Sequence, residues 1–304
     1  GAVALLISEN PSIISIDNHW GIATKSENDF FKPRRTFNKK SLIKEIIAKL
    51  ELDISEKDFE SNLSNSEFWD NNSEIIEVFK DEPIFDGQFS NSCYINRMKE
   101  AFIHFQKQKK IDFLNDWDHL IFHLPYAFHG RRMIFNNWLE WIKNDSKFED
   151  LIKEIGSEND PDFNKKSYKS SLYKDYVANK VSPGEKASSS IGNMYSASVF
   201  MSLLSMLNYH FENKNKIAGE KVGFISYGSG SKAKVFHGII QDKWADKIKT
   251  SKLFEFLKTR KEISFSMYES LHQNKEVSPL TNHNARFSHT DQEPNSKGYR
   301  YYKI

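Results

Sequence analysis

The chain has one cysteine, no long apolar run and almost no net charge. Cys93 is the single cysteine among 304 residues, which excludes an internal disulfide and a cysteine-rich metal site and favours a reducing, cytoplasmic setting. No stretch approaches the roughly 20 apolar residues of a membrane helix, and no signal peptide is evident. A formal net charge of +2 argues against a nucleic-acid partner. The histidines lack the spacing of metal ligands, so we expect no metal.

Aromatic residues are plentiful, with 24 Phe, 12 Tyr and 6 Trp, which is enough for a substantial core. Apolar strand patterns at 119–124, 222–227 and 233–240 alternate with helical patterns that begin near residues 94 and 191. The last two strands are separated only by a glycine-rich turn. This order predicts a layered α/β fold with one hairpin.

Two segments near the amino end stand apart from that pattern. Residues 1–7 are continuously apolar, which predicts a strand buried on both faces. Because such a strand needs a neighbour on each side, we expect the natural polypeptide, or a partner chain, to extend upstream. Residues 34–82 are charged, with apolar residues at helical spacing, and are interpreted as an inserted helical segment.

Three polar residues lie where the predicted elements end. His123 follows a buried strand and could donate to a carbonyl, or it could be an ordinary core histidine. Asn193 follows a glycine at a predicted helix start and could contact a ligand or simply cap the helix. Ser229 lies between two glycines, whose free N–H groups could hold a thioester oxygen, or the segment could be a plain hairpin turn.

Cys93 is the one candidate nucleophile. It lies near the start of a predicted amphipathic helix, where a thiolate could be stabilised. No histidine is close to it in the sequence, and small buried cysteines are common in cores. We therefore interpret Cys93 as structural.

Six segments, taken together and in this order, resemble one family, hydroxymethylglutaryl-CoA synthase. GNMYSAS followed about thirty residues later by SYGSG is the most specific part of the resemblance. The segments are GAVALLIS (1–8), DFFKP (29–33), FDGQFSNSCY (85–94), FHLPY (122–126), GNMYSAS (192–198) and FISYGSG (224–230).

The resemblance implies the thiolase-like layered fold, αβαβα, of which this chain would supply the carboxyl-terminal half and the last strand of the first half. The expected divisions are 1–33 for the end of the first half, 34–82 for the insertion and 83–304 for the carboxyl-terminal half. The implied reaction joins acetyl-CoA to acetoacetyl-CoA through an acetylated cysteine, with CoA thioesters as substrates and no cofactor.

The resemblance also implies roles for individual residues. His123 matches the family's active-site histidine, which polarises the acetoacetyl group. Asn193 and Ser229 match substrate-contacting residues, and Ser90 matches a serine at the same site. Asp29 matches an acidic residue that lines the site. A further residue, Arg132, matches a basic position that could contact a CoA phosphate.

The sequence departs from the family at two points. The family's catalytic cysteine and glutamate lie upstream of the segment that begins here, so we expect the chain alone to be inactive and to need the missing amino-terminal half or a partner chain. Phe128 stands where a lysine is usual. The resemblance also implies a homodimer. Two alternatives stay open: a non-catalytic module that binds CoA thioesters, and a relative that builds β-branches on carrier-bound polyketides.

Overall fold

The computed structural model describes residues 2–31, 33–64, 73–79, 83–273 and 275, together with the short pairs 288–289 and 302–303. The chain divides into two compact units, Gly1–Phe254 and Glu255–Ile304. The divisions expected at residues 33 and 82 stay predictions, and the structure divides the chain near residue 254.

The described strands are β1 (Ile14–Ile16), β2 (Gly21–Thr24), β3 (Phe30–Phe31), β4 (Arg34–Asn38), β5 (Ile75–Phe79), β6 (Ile84–Phe85), β7 (His119–Phe122), β8 (Lys221–Gly228), β9 (Lys232–Ile240), β10 (Ser288–His289) and β11 (Tyr302–Lys303). The described helices are α1 (Lys39–Lys49), α2 (Glu56–Ser64), α3 (Gly87–Gln108), α4 (His129–Met133), α5 (Phe135–Ile142), α6 (Lys147–Ile155), α7 (Phe163–Lys169), α8 (Ser171–Lys180), α9 (Ser182–Glu185), α10 (Ser188–Ile191), α11 (Ala197–Glu212), α12 (Trp244–Ile248), α13 (Leu253–Lys258) and α14 (Phe265–His272).

A mixed sheet of five strands forms the centre of the first unit. β7 pairs with β8 in parallel, β8 forms the predicted antiparallel hairpin with β9, and both β1 and β2 pair with the far edge of β9. β1 and β2 thus belong to the same sheet as the later strands. Since β7 and β8 run in the same direction, their carboxyl ends meet at one edge of the sheet.

Each face of this sheet packs against a different helix. Successive strand residues point to opposite faces: Leu120 and Phe122 join the core on the α3 side, whereas Ile121 joins the core on the α11 side. The same alternation separates Val235 from Phe236 on β9. The sheet is therefore buried on both sides, which is the layered arrangement that the sequence predicts.

Helix α3 begins at a well-defined cap and packs closely on the sheet. The side chain of Asp86 accepts hydrogen bonds from the backbone N–H groups of Gln88 and Phe89 at 2.9 and 3.1 Å, as an N-cap does. At Gly21 of β2, an added Cβ would lie only 2.1 Å from the carbonyl oxygen of Ala101. Glycine is required there because the strand backbone touches the helix.

The expected buried strand at the amino end is wrong for this structure. No strand is assigned within residues 2–8, and the side chain of Leu6 is 97% exposed. The first strand that joins the sheet is β1, which lies later in the chain. A strand buried on both faces needs a paired strand on each side, and none of the described strands pairs with residues 2–8.

The segment 34–82 is more than the helical insertion that the sequence predicts. α1 and α2 are present, but the described ends of the segment, β4 and β5, form an antiparallel ladder that runs from Arg34–Phe79 to Asn38–Ile75. The side chain of Asn38 caps α1 by accepting from the backbone of Ser41. Immediately outside this segment in the sequence, β3 pairs with β6. Pairing across forty residues joins the two ends of the segment.

The polar segment 143–186 contributes to the core of the first unit. The segment contains α6 to α9, and Tyr173, Val177 and Glu185 are buried. Lysines and serines are frequent in this segment, but several of its aromatic side chains point into the core. In the second unit, α14 is the longest described helix, and β10 pairs with β11.

Candidate active site

A cavity of about 520 Å³ opens where β7 and β8 end. Its wall includes Ser90 of α3, His123 after β7, Asn193 before α11 and Ser229 after β8. These four residues come from four separate motifs of the sequence. The fold therefore brings together four of the six residues that were predicted for the site, although their roles stay predictions.

The backbone of His123 is held on both sides. Its N–H donates to the carbonyl oxygen of Ile225 at 2.8 Å, which extends the pairing of β7 with β8 by one residue. Its carbonyl oxygen accepts from the hydroxyl of Tyr94 at 3.0 Å. The imidazole therefore projects from a fixed point at the edge of the sheet.

The ring of His123 is oriented by a buried serine. Ser198 Oγ accepts from the backbone N–H of Leu124 at 3.1 Å and lies 2.7 Å from His123 Nδ1. Ser198 is fully buried, and a hydroxyl has only one proton to give. We assign that proton to the bond with Nδ1. The imidazole proton then resides on Nε2, which can donate either to the Tyr195 backbone, with which this ring forms a hydrogen bond, or to a bound ligand.

Burial keeps the histidine neutral. It lowers the pKa of His123 to about 4, and a hydrogen bond with the backbone of Tyr195 acts in the opposite direction. Near neutral pH, the side chain is thus an uncharged donor. Such a donor can stabilise negative charge that develops on a carbonyl oxygen without itself carrying charge into the cavity.

Asn193 lies in a turn and does not cap the following helix. The helix expected to open at residue 191 instead begins at Ala197, because Gly192 and Tyr195 have φ values of 84° and 50°. Asn193 Oδ1 accepts from the backbone N–H of Tyr195 at 2.8 Å. With the oxygen engaged in the turn, the amide NH₂ group is the part of Asn193 that can serve a ligand.

Asp29 supports the cavity from behind. It is fully buried. The resemblance implies that it lines the site, but it lies behind the cavity wall. One carboxyl oxygen accepts from the hydroxyl of Tyr227 at 2.6 Å, and the other accepts from the backbone N–H of Gly230 at 2.7 Å. Tyr227 and Ser229 do line the cavity. Asp29 therefore fixes the hairpin turn that carries Ser229.

Arg132 lies at the rim of the cavity. It is exposed, and its Nη1 donates to the hydroxyl of Tyr126 at 3.2 Å, which itself lines the cavity. Phe128 has a φ of 66°, and its ring centroid lies 4.5 Å from the guanidinium carbon of Arg131. The two side chains form a cation–π contact at this point.

Cys93 is structural in this arrangement, in agreement with the sequence. Its thiol is buried and donates to Glu27 Oε2 at 2.6 Å. Burial raises the pKa of Cys93 to about 11, and the neighbouring carboxylate of Glu27 adds to the effect. A thiol with a raised pKa is a poor nucleophile near neutral pH.

Several residues of the site were missed in the sequence. Tyr94 stacks on Tyr227 with ring centroids 4.5 Å apart, and His129 lies 5.1 Å from Tyr94; all three line the cavity. Tyr94 follows Ser90 by four residues on one helix, so the spacing could have indicated it. Ser198 is part of the GNMYSAS motif, but its contact with His123 depends on tertiary structure.

A second cavity of about 340 Å³ shares His123, Tyr227 and Gly228 with the first, and its wall also includes Lys232 and Lys234. His123 therefore lines both cavities.

Among the described residues, no group of three or more potential metal ligands occurs. No helix in the described part of the chain has the length and apolar character needed to span a membrane.

Comparison with known proteins agrees with this architecture. The family model described as "Hydroxymethylglutaryl-coenzyme A synthase C terminal" matches residues 75–302. The hydroxymethylglutaryl-CoA synthase of Haloferax volcanii is 24% identical over 286 residues, which cover 90% of this chain and 54% of that protein. The chain spans about half the length of the curated relatives that it matches.

Solved structures show the same fold. MvaS in complex with 3-hydroxy-3-methylglutaryl coenzyme A superposes with a TM-score of 0.64 at 19% identity, over 97% of this chain and 59% of that one. The HMG synthase of the curacin biosynthetic pathway, in complex with holo donor-ACP, gives 0.55 at 18% identity, over 87% and 47%.

The fold class is thus the thiolase-like α/β fold of these synthases, as the sequence predicts. The chain belongs to the hydroxymethylglutaryl-CoA synthase family and corresponds to its carboxyl-terminal portion.

Proposed function

We propose that this chain forms the acetoacetyl-binding part of an acyltransferase that condenses acetyl-CoA with acetoacetyl-CoA to hydroxymethylglutaryl-CoA and CoA. The observation that carries the proposal is the meeting of Ser90, His123, Asn193 and Ser229 in one cavity. The reaction belongs to isoprenoid synthesis through mevalonate, in the cytoplasm. A homodimer is the assembly that we propose for it.

His123 has the central role in the proposed reaction. Its Nε2–H donates to the C3 carbonyl oxygen of the acetoacetyl group. When the acetyl carbon attacks C3, the carbonyl electron pair moves onto that oxygen, and the hydrogen bond strengthens as the charge develops. The position of His123 between two cavities supports this role, because a condensation requires two acyl groups to meet at one donor.

The other cavity residues position the substrate. The Asn193 amide and the Ser229 hydroxyl are uncharged donors on two turns that line the cavity, and Ser90 contributes a third polar group from α3. Three donors that converge on one cavity can fix the orientation of a thioester. Arg132 at the rim can contact a phosphate of CoA.

The acetylated cysteine and the proton-transferring glutamate of the reaction are proposed to come from outside these 304 residues. Cys93 is the single cysteine here, and its bond to Glu27 keeps it out of the cavity wall. Either a preceding segment of the natural polypeptide or a separate chain could supply the two groups.

A carrier protein is the second candidate source of an acyl group. Phe128 takes the place of a lysine, and Arg131 is engaged with Glu185 at 2.8 and 2.5 Å. A carrier-bound acyl group has no adenosine phosphates to be held there. The likeness to the curacin synthase, which was solved with its donor-ACP, is consistent with this candidate. The similarity in sequence to hydroxymethylglutaryl-CoA synthases favours the CoA substrate.

We expect the 304-residue chain to bind acetoacetyl-CoA without becoming acetylated. The raised pKa of the Cys93 thiol leaves almost no thiolate to attack a thioester. Incubation with radiolabelled acetyl-CoA, followed by intact-protein mass spectrometry, measures covalent transfer. Calorimetric titration with acetoacetyl-CoA measures binding. Stoichiometric acetylation of Cys93 would contradict the proposal, and a failure to bind acetoacetyl-CoA would contradict it as well.

A further inference from the structure

Tyr94 of α3 contacts two parts of the cavity that follow different strands. It is only 1% exposed, and burial raises the pKa of its hydroxyl, so the group keeps its proton. The hydroxyl donates to the carbonyl oxygen of His123 at 3.0 Å, directly after the last residue of β7. This side chain lines the cavity but has no role in the proposed reaction.

The ring of Tyr94 supports the turn that carries Ser229. It stacks on the ring of Tyr227, with the centroids 4.5 Å apart and the planes inclined by 11°. Tyr227 comes two residues before Ser229, and its hydroxyl donates to the buried carboxyl group of Asp29 at 2.6 Å. Tyr227 is therefore held by its face and by its hydroxyl, which fixes the start of the turn.

Helix α3 gives these two contacts a common base. The parallel register of β7 and β8 ends at the pair of Phe122 with Ile225, and the two segments that carry His123 and Ser229 continue beyond it. Tyr94 reaches both segments from α3, a helix of 22 residues that packs closely on β2. Tyr94 therefore connects the two segments where the paired strands end.

We propose that Tyr94 is a positioning residue that fixes the spacing between the donor at His123 and the donors of the Ser229 turn, and that this spacing selects thioesters with a second carbonyl group at C3. The inference rests on the proposed function, which places the C3 oxygen at His123 and the thioester beside Asn193 and Ser229. A 3-oxoacyl group engages two donor sites at once only when their separation is held. A saturated acyl group has no oxygen for His123 to contact.

Calorimetry on the 304-residue chain tests the proposal with two ligands, acetoacetyl-CoA and butyryl-CoA, whose acyl groups have the same length and differ in the oxygen at C3. Tyr94→Phe removes the hydroxyl and keeps the ring, and Tyr94→Leu removes both. Tyr176→Phe is the matched control. It also removes a buried hydroxyl from a core tyrosine, but Tyr176 does not line this cavity.

We expect the parent to bind acetoacetyl-CoA more tightly than butyryl-CoA. Tyr94→Phe should weaken acetoacetyl-CoA binding about fivefold, the equivalent of one neutral hydrogen bond, and leave butyryl-CoA binding unchanged. Tyr94→Leu should weaken the binding of both ligands, because the Ser229 turn also loses its support. Tyr176→Phe should keep both parent affinities. The selective loss in Tyr94→Phe identifies positioning, since a general loss of structure would affect both ligands alike.

The possible failures are distinguishable. If the parent does not bind acetoacetyl-CoA, the proposed function and this inference are both overturned. If the parent binds acetoacetyl-CoA but Tyr94→Phe retains the parent affinities, or weakens both ligands equally, the role of Tyr94 is wrong while the proposed function stands. A parent without preference for acetoacetyl-CoA over butyryl-CoA also overturns the inference. If circular dichroism shows that Tyr94→Leu does not fold, Tyr94→Phe decides alone, because it retains the packed ring.

Discussion

Replacing His123 with alanine is expected to reduce the condensation rate of the complete enzyme roughly a hundredfold or more, on the order of 3 kcal/mol in barrier height. The Nε2–H donor is lost at the oxygen where charge develops. Acetyl transfer to the catalytic cysteine is a separate step that does not involve the acetoacetyl carbonyl, so it should proceed at the parent rate. Single-turnover measurements of both half-reactions check this separation.

Ser198 variants give the matched test of how the histidine is oriented. Ser198→Ala removes the hydroxyl that contacts His123 Nδ1 and should slow condensation about tenfold, whereas Ser198→Thr keeps a hydroxyl and should recover most of the rate.

Because burial lowers the pKa of His123 to about 4, the side chain stays a neutral donor throughout pH 5–8. Protonation at Nδ1, where the ring accepts from Ser198, should disturb the orientation of the ring and slow condensation only as the pH falls toward 4. Parent-rate condensation by His123→Ala would show that the site is wrongly placed.

Replacing Glu185 with alanine is expected to lower the free energy of unfolding by about 3–5 kcal/mol. Glu185 is 1% exposed. Its carboxyl group accepts from Nε and Nη2 of Arg131 at 2.8 and 2.5 Å and from the Arg131 backbone N–H at 3.2 Å. Removing the carboxyl group leaves the guanidinium without its counter-ion in a half-buried place. Urea unfolding followed by circular dichroism measures the change.

An exposed ion pair provides the control for Glu185. Glu140 lies 2.8 Å from Lys99, with both side chains more than half exposed to solvent. Because water screens such pairs, Glu140→Ala should change the free energy of unfolding by less than about 1 kcal/mol. Equal small effects for Glu185→Ala and Glu140→Ala would mean that the Arg131–Glu185 contact does not stabilise the fold.

Local patterns were sufficient to predict the centre of the molecule. The strand before His123 and the hairpin around Ser229 were predicted from apolar runs that end at polar or glycine residues, and the structure confirms both. Such elements depend on short-range chemistry: alternation sets the strand, and glycine permits the turn. The family resemblance implied that these elements contribute to one site.

Elements that depend on distant partners could not be predicted in the same way. The ladder of β4 with β5 joins residues that lie about forty positions apart, and no local pattern identifies that pairing. The contact of Ser198 with His123 spans 75 positions. The burial of His129 against Tyr94 and Tyr126 depends on the turn at Phe128, which no local pattern identifies.

The central claim is that a neutral His123 donates to the C3 carbonyl oxygen of a bound acetoacetyl thioester. The most direct test is the ¹³C NMR shift of acetoacetyl-CoA labelled at C3 and bound to this chain, compared between the parent and His123→Ala. A carbonyl polarised by a donor moves downfield, so we expect a downfield shift in the parent that is lost in the variant. The same carbonyl shift in both proteins would contradict the account.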